Sequence, residues 1–442
     1  MTRYPVSIVW LRRDLRLGDH VALQRAAEGS ERLACAFVLD PVLLRGPRVG
    51  APIVQGFFDG LRSLRAELQA AGSDLALLEG DFAGELRAFA ARIGARAVFY
   101  NEDYDPDARA RDERVSGRLR DAGVDVRAFT DHVYFAAGDV LQDSGKPYVV
   151  FTPYRKRWTA RLAAHPNPPV ASARDALATL LPRQAIGATR DVPSPEDYGH
   201  QASPAYPRVG ASEAQRALAA FLDEPVAQYA ERRNAPALAG TSHLSPQLRA
   251  GTIGIRTLVH AALERRARAA SPHAVANIDA WLGELVWRDF YQQLLAHHPR
   301  ISREPFLDAA RAIPYANDPH GFAAWCEGRT GYPIVDAAMI QLRTTGWMHN
   351  RLRMIVASFL TKHLLIDYRA GERWFEQCLA DADLAANNGG WQWAASTGTD
   401  AAPYFRVFSP MLQGKTYDPV GAFVRAMLPA LARVPDRYVH EP

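Results

Sequence analysis

Several things are scarce in this sequence, and each scarcity removes a class of protein. The three cysteines, Cys35, Cys326 and Cys378, lie far apart, with no Cys-x-x-Cys pair and no Cys/His spacing suited to a ligand set. Neither a disulfide framework nor a metal site is therefore expected, and a reducing cytoplasm suits the chain. No apolar run approaches the length of a membrane span. Met1-Thr-Arg-Tyr-Pro leads straight into a strand-like run, so a secretory leader is not expected. Neither sign of charge dominates: 52 Lys and Arg against 48 Asp and Glu leave a formal charge of +4, so any surface for a polyanion must be a local patch. There is no internal repeat, and no low complexity beyond an alanine bias. No Gly-x-Gly-x-x-Gly follows a strand, which makes the N-terminal region an unlikely dinucleotide holder.

What is present is ordinary in bulk and uneven in arrangement. With 442 residues, 48% apolar and 23% charged, the chain has material for two or three domains. Val6-Ser-Ile-Val-Trp-Leu11, Leu33-Ala-Cys-Ala-Phe-Val-Leu39, Asp74-Leu-Ala-Leu-Leu78 and Ala97-Val-Phe-Tyr100 read as strands, separated by helical periods such as Phe57, Leu61 and Leu64. This alternation predicts an α/β fold, a doubly wound, Rossmann-like parallel sheet over residues 1–130. Residues 131–207, with Pro166-Asn-Pro-Pro169 and Asp191-Val-Pro-Ser-Pro195, read as an irregular interdomain linker. From there to residue 442 helical periods dominate, and an all-helical domain is expected over 208–442.

One stretch reads poorly as core. Asp381-Ala-Asp-Leu-Ala-Ala-Asn-Asn-Gly-Gly-Trp-Gln-Trp-Ala-Ala-Ser-Thr-Gly-Thr-Asp400 carries acids, paired amides, paired glycines and two tryptophans, with little aliphatic bulk. Such a segment usually lines a site. Together with Gly346-Trp-Met-His-Asn-Arg-Leu-Arg-Met354 and Trp10-Leu-Arg-Arg-Asp-Leu-Arg-Leu-Gly-Asp19, it closely resembles the photolyase/cryptochrome flavoproteins. The form around His349-Asn350 is similar to class I cyclobutane pyrimidine dimer photolyases, whereas (6-4) enzymes carry a His-His pair. The resemblance implies light-driven repair of UV-damaged DNA by electron transfer from excited reduced FAD (FADH⁻), by a monomeric cytoplasmic protein that joins the nucleoid when bound to DNA. Relatives usually continue for another helix or so beyond the point matched by Val439-His-Glu-Pro442. A cryptochrome-type light receptor, a (6-4) enzyme and a nucleotide-binding module without photochemistry are the alternatives.

Gly240-Thr-Ser-His-Leu-Ser-Pro246 offers hydroxyls and backbone N–H groups at a helix start, which reads either as an anion cradle or as a plain N-cap. The resemblance makes Tyr229, Thr241, Ser242, Leu244, Ser245, Trp281, Glu284 and Asn350 FAD contacts, with His243 where relatives carry Arg. It places Arg353 and Asp381 as an ion pair against the isoalloxazine, with Asp383 beside it. Asn387 matches the amide facing flavin N5, where it favours reduced, N5-protonated forms; read alone, Asn-Asn-Gly-Gly is a helix C-cap.

A fused pyrimidine pair calls for aromatic walls and a few aimed polar groups. On a helix, Glu284, Trp287 and Arg288 share one face. The resemblance adds Asn350, Met354 and Trp393 to this pocket, and Arg233, Arg351 and Arg406, with Lys415, as phosphate contacts. Glu284 is the carboxylate expected to stabilise the lesion radical anion, so Glu284, Asn387 and Trp391 are the expected catalytic residues. Of the family's three-tryptophan photoreduction relay only Trp391 is present; Tyr368 and Tyr315 occupy the other positions, and Trp374 is a candidate detour. A second, antenna chromophore, methenyltetrahydrofolate or a deazaflavin, is expected near Asn101-Glu-Asp-Tyr104, Arg12 and Phe37.

Overall fold

A computed structural model describes residues 3–170, 174–404 and 406–441. Five parallel strands, β1 (Tyr4–Leu11), β2 (Ser30–Leu39), β3 (Leu75–Glu79), β4 (Ala97–Asn101) and β5 (Asp125–Phe129), form one sheet in the order β3-β2-β1-β4-β5. The strand order reverses at β1. That doubly wound arrangement follows from right-handed crossovers through helices α1 (Val21–Gly29), α2 (Ala51–Ala70), α3 (Phe82–Ile93) and α4 (Pro106–Asp121). Alternation along β1 sends Val9 and Leu11 to one core, with Leu61 and Leu64 of α2, and Ile8 and Trp10 to the other, with Leu86 and Phe89 of α3.

The remainder of the described chain is helical. Residues 131–207, expected to be irregular, contain α5 (Phe151–Ala164), whose Phe151, Tyr154, Trp158 and Leu162 are buried. Their spacing is a helical stripe that the flanking prolines mask in the sequence. This stripe packs on α7 (Pro272–His297), the longest helix, after the short α6 (Ser245–Ala250). A second helical core joins α8 (Pro319–Glu327), α9 (Pro333–Thr345), α10 (Asn350–Lys362), α11 (Tyr368–Cys378) and α12 (Leu384–Ala395) around the fully buried Trp325.

The sheet's first loop is clamped onto the helical part. Leu15 N donates to Ala250 O at 3.2 Å and Arg16 Nη1 to Gly251 O at 3.1 Å. Gly251 has φ +72°, and a Cβ there would stand 1.9 Å from Arg13 O, so both the turn and the close approach require glycine. Beneath it, the buried Arg256 pairs with Asp19 at 2.8 Å and with Asp131, satisfying charges that would otherwise be costly to desolvate.

Candidate active site

Helix α7 begins where Ser271 accepts from Ala274 N, and its 26 residues carry two different faces. On one, the buried Asp289 accepts from Tyr134 N, Phe135 N and Trp158 Nε1 at 3.1, 3.2 and 2.9 Å, tying the 131–164 segment to the helix. Burial still pushes its carboxyl up to about 6. The other face presents Glu284, Trp287 and Tyr291, as their three- and four-residue spacing predicts. Glu284 Oε1 accepts from Arg233 Nη1 at 2.7 Å, and that guanidinium also lies 5.1 Å over the Tyr229 ring. One face of Trp287 is covered by Phe151, nearly parallel to it at 3.5 Å, and Tyr291 stacks at 5.3 Å.

The acid-and-amide segment lies against this helix. Asp381 is buried and receives Arg353 Nη2 at 3.1 and 2.8 Å, while Arg353 Nε is held by Met348 O at 2.9 Å. Asp383 caps α12, accepting from Ala386 N at 3.1 Å. Its carboxylate also accepts from Gln292 Nε2 at 2.9 and 3.1 Å and pairs with Arg13 of the first loop, with His132 and Arg288 each at 3.7 Å; Arg13, His132 and Arg288 hold it ionised despite its burial. Asn387-Asn388-Gly389-Gly390 is therefore inside a helix and not at its end; Ser396, with φ +63°, terminates it. Gly389 admits Tyr291, whose ring would lie 2.2 Å from any Cβ placed there.

Asn387 Nδ2 donates to Glu372 O at 3.0 Å, which leaves its carbonyl oxygen as the free end of the amide. Asn388 Nδ2 donates to Ile301 O and to Glu372 Oε1, each at 2.9 Å. Burial pushes the Glu372 carboxyl up to about 8.

The fit of these surroundings to a large, polar, anionic cofactor rests on groups left without partners. His349 is buried, and its Nδ1 accepts from Arg351 N at 3.1 Å, so Nε2 carries the proton and has no acceptor in the fold. Burial and then Arg353 hold its pKa down to about 4. Leu244 is the N-cap of α6 and has no polar side-chain atom to cap it, and Thr241 and Ser242 just before it are half-buried. Tyr229 and Trp281 are buried, Ser245 is exposed, and His243 adopts φ +51° against Trp347 at 4.3 Å.

The other expected residues divide by location. Asn350, at the start of α10, is exposed; Met354 and Trp393 are half-buried, and Trp393 borders a solvent-open pocket with Tyr291, Phe306 and Asp400. Arg351 is held by Asn234 Oδ1 at 2.8 Å and lies 4.3 Å over Tyr417, while Arg406 is exposed. Lys415 pairs with Glu441 at 2.8 Å. Trp391 is buried, edge-on to Phe375 at 5.0 Å and Trp325 at 6.0 Å. Tyr368 is buried with its hydroxyl unpartnered, and Tyr315 is half-buried. Among the described residues, Trp374 makes no ring contact with Trp391.

Sequence reasoning missed Phe151, Tyr291, Glu372 and Trp325. Tyr291 was findable as the residue four beyond Trp287; the others reach the site from distant segments and leave no local signal.

Two family models match the chain: "DNA photolyase" over residues 7–172 and "FAD binding domain of DNA photolyase" over residues 281–442. A curated relative from Synechococcus sp., named deoxyribodipyrimidine photo-lyase, is 41% identical over 433 residues, covering 97% of this chain and 88% of that one. The crystal structure of a class III photolyase from Agrobacterium tumefaciens superposes with a TM-score of 0.88 at 36% identity, covering 100% of this chain and 90% of that one. An archaeal photolyase from Sulfolobus tokodaii, solved with two FAD molecules and described as implying a novel light-harvesting cofactor, gives 0.82 at 30% identity, covering 98% and 92%.

Proposed function

The chain belongs to the DNA photolyase family, and on that premise we propose how its residues divide the work of light-driven repair of cyclobutane pyrimidine dimers in DNA. Residues 208–442 hold FAD and DNA, and residues 1–130 hold the antenna. When bound, reduced FAD supplies on illumination the electron that opens the dimer, and recovers it afterwards.

The observation that carries the reading is the joining of two half-sites by α7 and α12. Below, the Arg353–Asp381 pair provides a fixed field, and Asn387, anchored through its Nδ2, presents a carbonyl oxygen that accepts from an N–H and cannot remove its proton. Tyr229, Thr241, Ser242, Leu244, Ser245 and Trp281, with the His349 N–H, line the rest of the cofactor's bed. Above, Trp287 and Trp393 wall the flipped-out dimer, Glu284 accepts from its N3–H or stabilises a reduced carbonyl's proton, and Asn350 and Met354 complete the edge. Arg233, Arg351 and Arg406 take phosphates, giving binding that is salt-dependent and indifferent to sequence.

We assign the antenna, methenyltetrahydrofolate or a deazaflavin, to the surroundings of Asn101, Glu102, Tyr104, Arg12 and Phe37, and the working state to a monomer. The absorption spectrum of the purified protein distinguishes folate, deazaflavin and a second flavin. The function itself is tested by light-dependent loss of dimers from irradiated oligothymidine with prereduced protein, beside a (6-4) substrate. Activity on the first alone is expected; bound flavin with activity on neither moves the protein to the light receptors.

A further inference from the structure

Photoreduction of a bound flavin needs a path for the positive hole away from the first tryptophan. Tyr368 and Tyr315 stand where the family resemblance puts the next two carriers. A tyrosine that is oxidised must shed its phenolic proton, because the protonated radical is strongly acidic. The Tyr368 hydroxyl is buried and has no hydrogen-bond partner. The acid one turn along α11, Glu372, retains its own proton to about pH 8 because of burial. Among the described residues no base is hydrogen-bonded to the Tyr368 hydroxyl to accept that proton.

The surroundings of Trp391 offer another carrier. Its ring meets Trp325 of α8 edge to face, with centroids 6.0 Å apart, and Phe375 bridges the two, 5.0 Å from Trp391 and 6.2 Å from Trp325. Gly371 allows this packing: a Cβ there would lie 2.2 Å from Trp391 Cη2. The two indoles differ in one respect that matters to a cation. Trp391 Nε1 is buried without a partner, whereas Trp325 Nε1 donates to Val356 O at 3.1 Å. A carbonyl acceptor stabilises an indole radical cation electrostatically, since the charge strengthens the N–H···O hydrogen bond, yet a backbone carbonyl is too weak a base to take the proton. The hole therefore runs downhill from Trp391 to Trp325.

We propose that Trp325 is the second carrier of photoreduction in this protein, in place of Tyr368 and of the Trp374 detour. The inference rests on the flavoprotein reading above. Trp391 gives one electron to the light-excited oxidised flavin and is left as a radical cation. Trp325 then gives one electron to Trp391, restoring it; no bond forms or breaks, and the proton stays on Trp325 Nε1. An external thiol then gives one electron to Trp325, losing its S–H proton to solvent and leaving a thiyl radical that couples with a second to a disulfide, so that both tryptophans are restored while the flavin keeps the electron. Trp325 is fully buried, but Ala323 and Glu327 on the same helix are exposed, so the reductant's approach is one side of a helix away.

The test is transient absorption and trapped-radical paramagnetic resonance on the flavin-loaded protein, with Trp325→Phe and Tyr368→Phe alongside. Native protein is expected to give a protonated tryptophan radical as its long-lived product; Trp325→Phe loses it, and Tyr368→Phe keeps it. A neutral tyrosyl product in native protein, or an undiminished radical yield in Trp325→Phe, overturns the proposal. Flavin content and melting temperature report whether Trp325→Phe folds; should it not, the native radical's identity and Tyr368→Phe decide alone. Dimer repair by chemically reduced native protein tests the underlying reading separately, since it needs no relay.

Discussion

Arg233 Nη1 and Glu284 Oε1 are 2.7 Å apart, both side chains partly buried, so the carboxylate read as the lesion's acceptor already has a cation on one oxygen. Lesion binding must use the second oxygen or release the arginine to a phosphate. Arg233→Ala is expected to weaken binding to damaged and undamaged DNA alike and to lower the salt slope by about one. Glu284→Gln should keep the slope and cost about 1–3 kcal/mol of discrimination for damaged strands. Salt titrations on both DNAs separate the two outcomes.

Asn387 owes its orientation to the Glu372 carbonyl. Asn387→Asp has no N–H to give, and sets a carboxylate against that carbonyl oxygen. The substituted group turns, and negative charge beside a reduced, anionic ring disfavours it. Flavin content should be near native, while the reduced form reoxidises faster in air, as followed by absorption after illumination.

Arg353 is the sole charged partner of the buried Asp381 carboxylate among the described contacts. Arg353→Ala leaves that charge uncompensated and is expected to cost about 3–5 kcal/mol of stability. Thermal melts of the purified variant, together with its flavin content, measure the loss.

The Glu372 carboxyl rises from 4.5 in the unfolded chain to about 8 in the fold, because burial penalises its charged form. The folded state thus holds a proton that the unfolded state has lost, and stability falls as pH climbs between those values, by roughly 3–5 kcal/mol in full. Asp289 adds to the same slope between 3.8 and about 6. Glu372→Gln keeps an acceptor for Asn388 and should flatten the decline above pH 6 in urea denaturation series; an unchanged slope refutes the assignment.

Asp289→Ala strands three buried N–H donors at Tyr134, Phe135 and Trp158. The expected cost is about 3–5 kcal/mol. Because Phe151 on the same segment covers Trp287, a loss of lesion affinity should accompany it, read by melting and by binding to damaged oligonucleotides.

Local pattern alone determined much of this protein. Short continuous apolar runs announce β1 to β4 because a parallel sheet buries both of its faces, and the 281–291 face of α7 follows from helical spacing. The candidate site's segment stood out by composition: acids, amides and tryptophans crowded where aliphatic residues should be. Tertiary structure decided the pairings. That Phe151 leaves a proline-flanked segment to cover Trp287, that Arg13 of the first loop holds Asp383, that Glu372 aims Asn387, and that Trp391 meets Trp325 in place of a tyrosine are contacts across tens to hundreds of residues. Such contacts depend on how helices cross and which side chains fill the space between them, and chain periodicity carries no record of either.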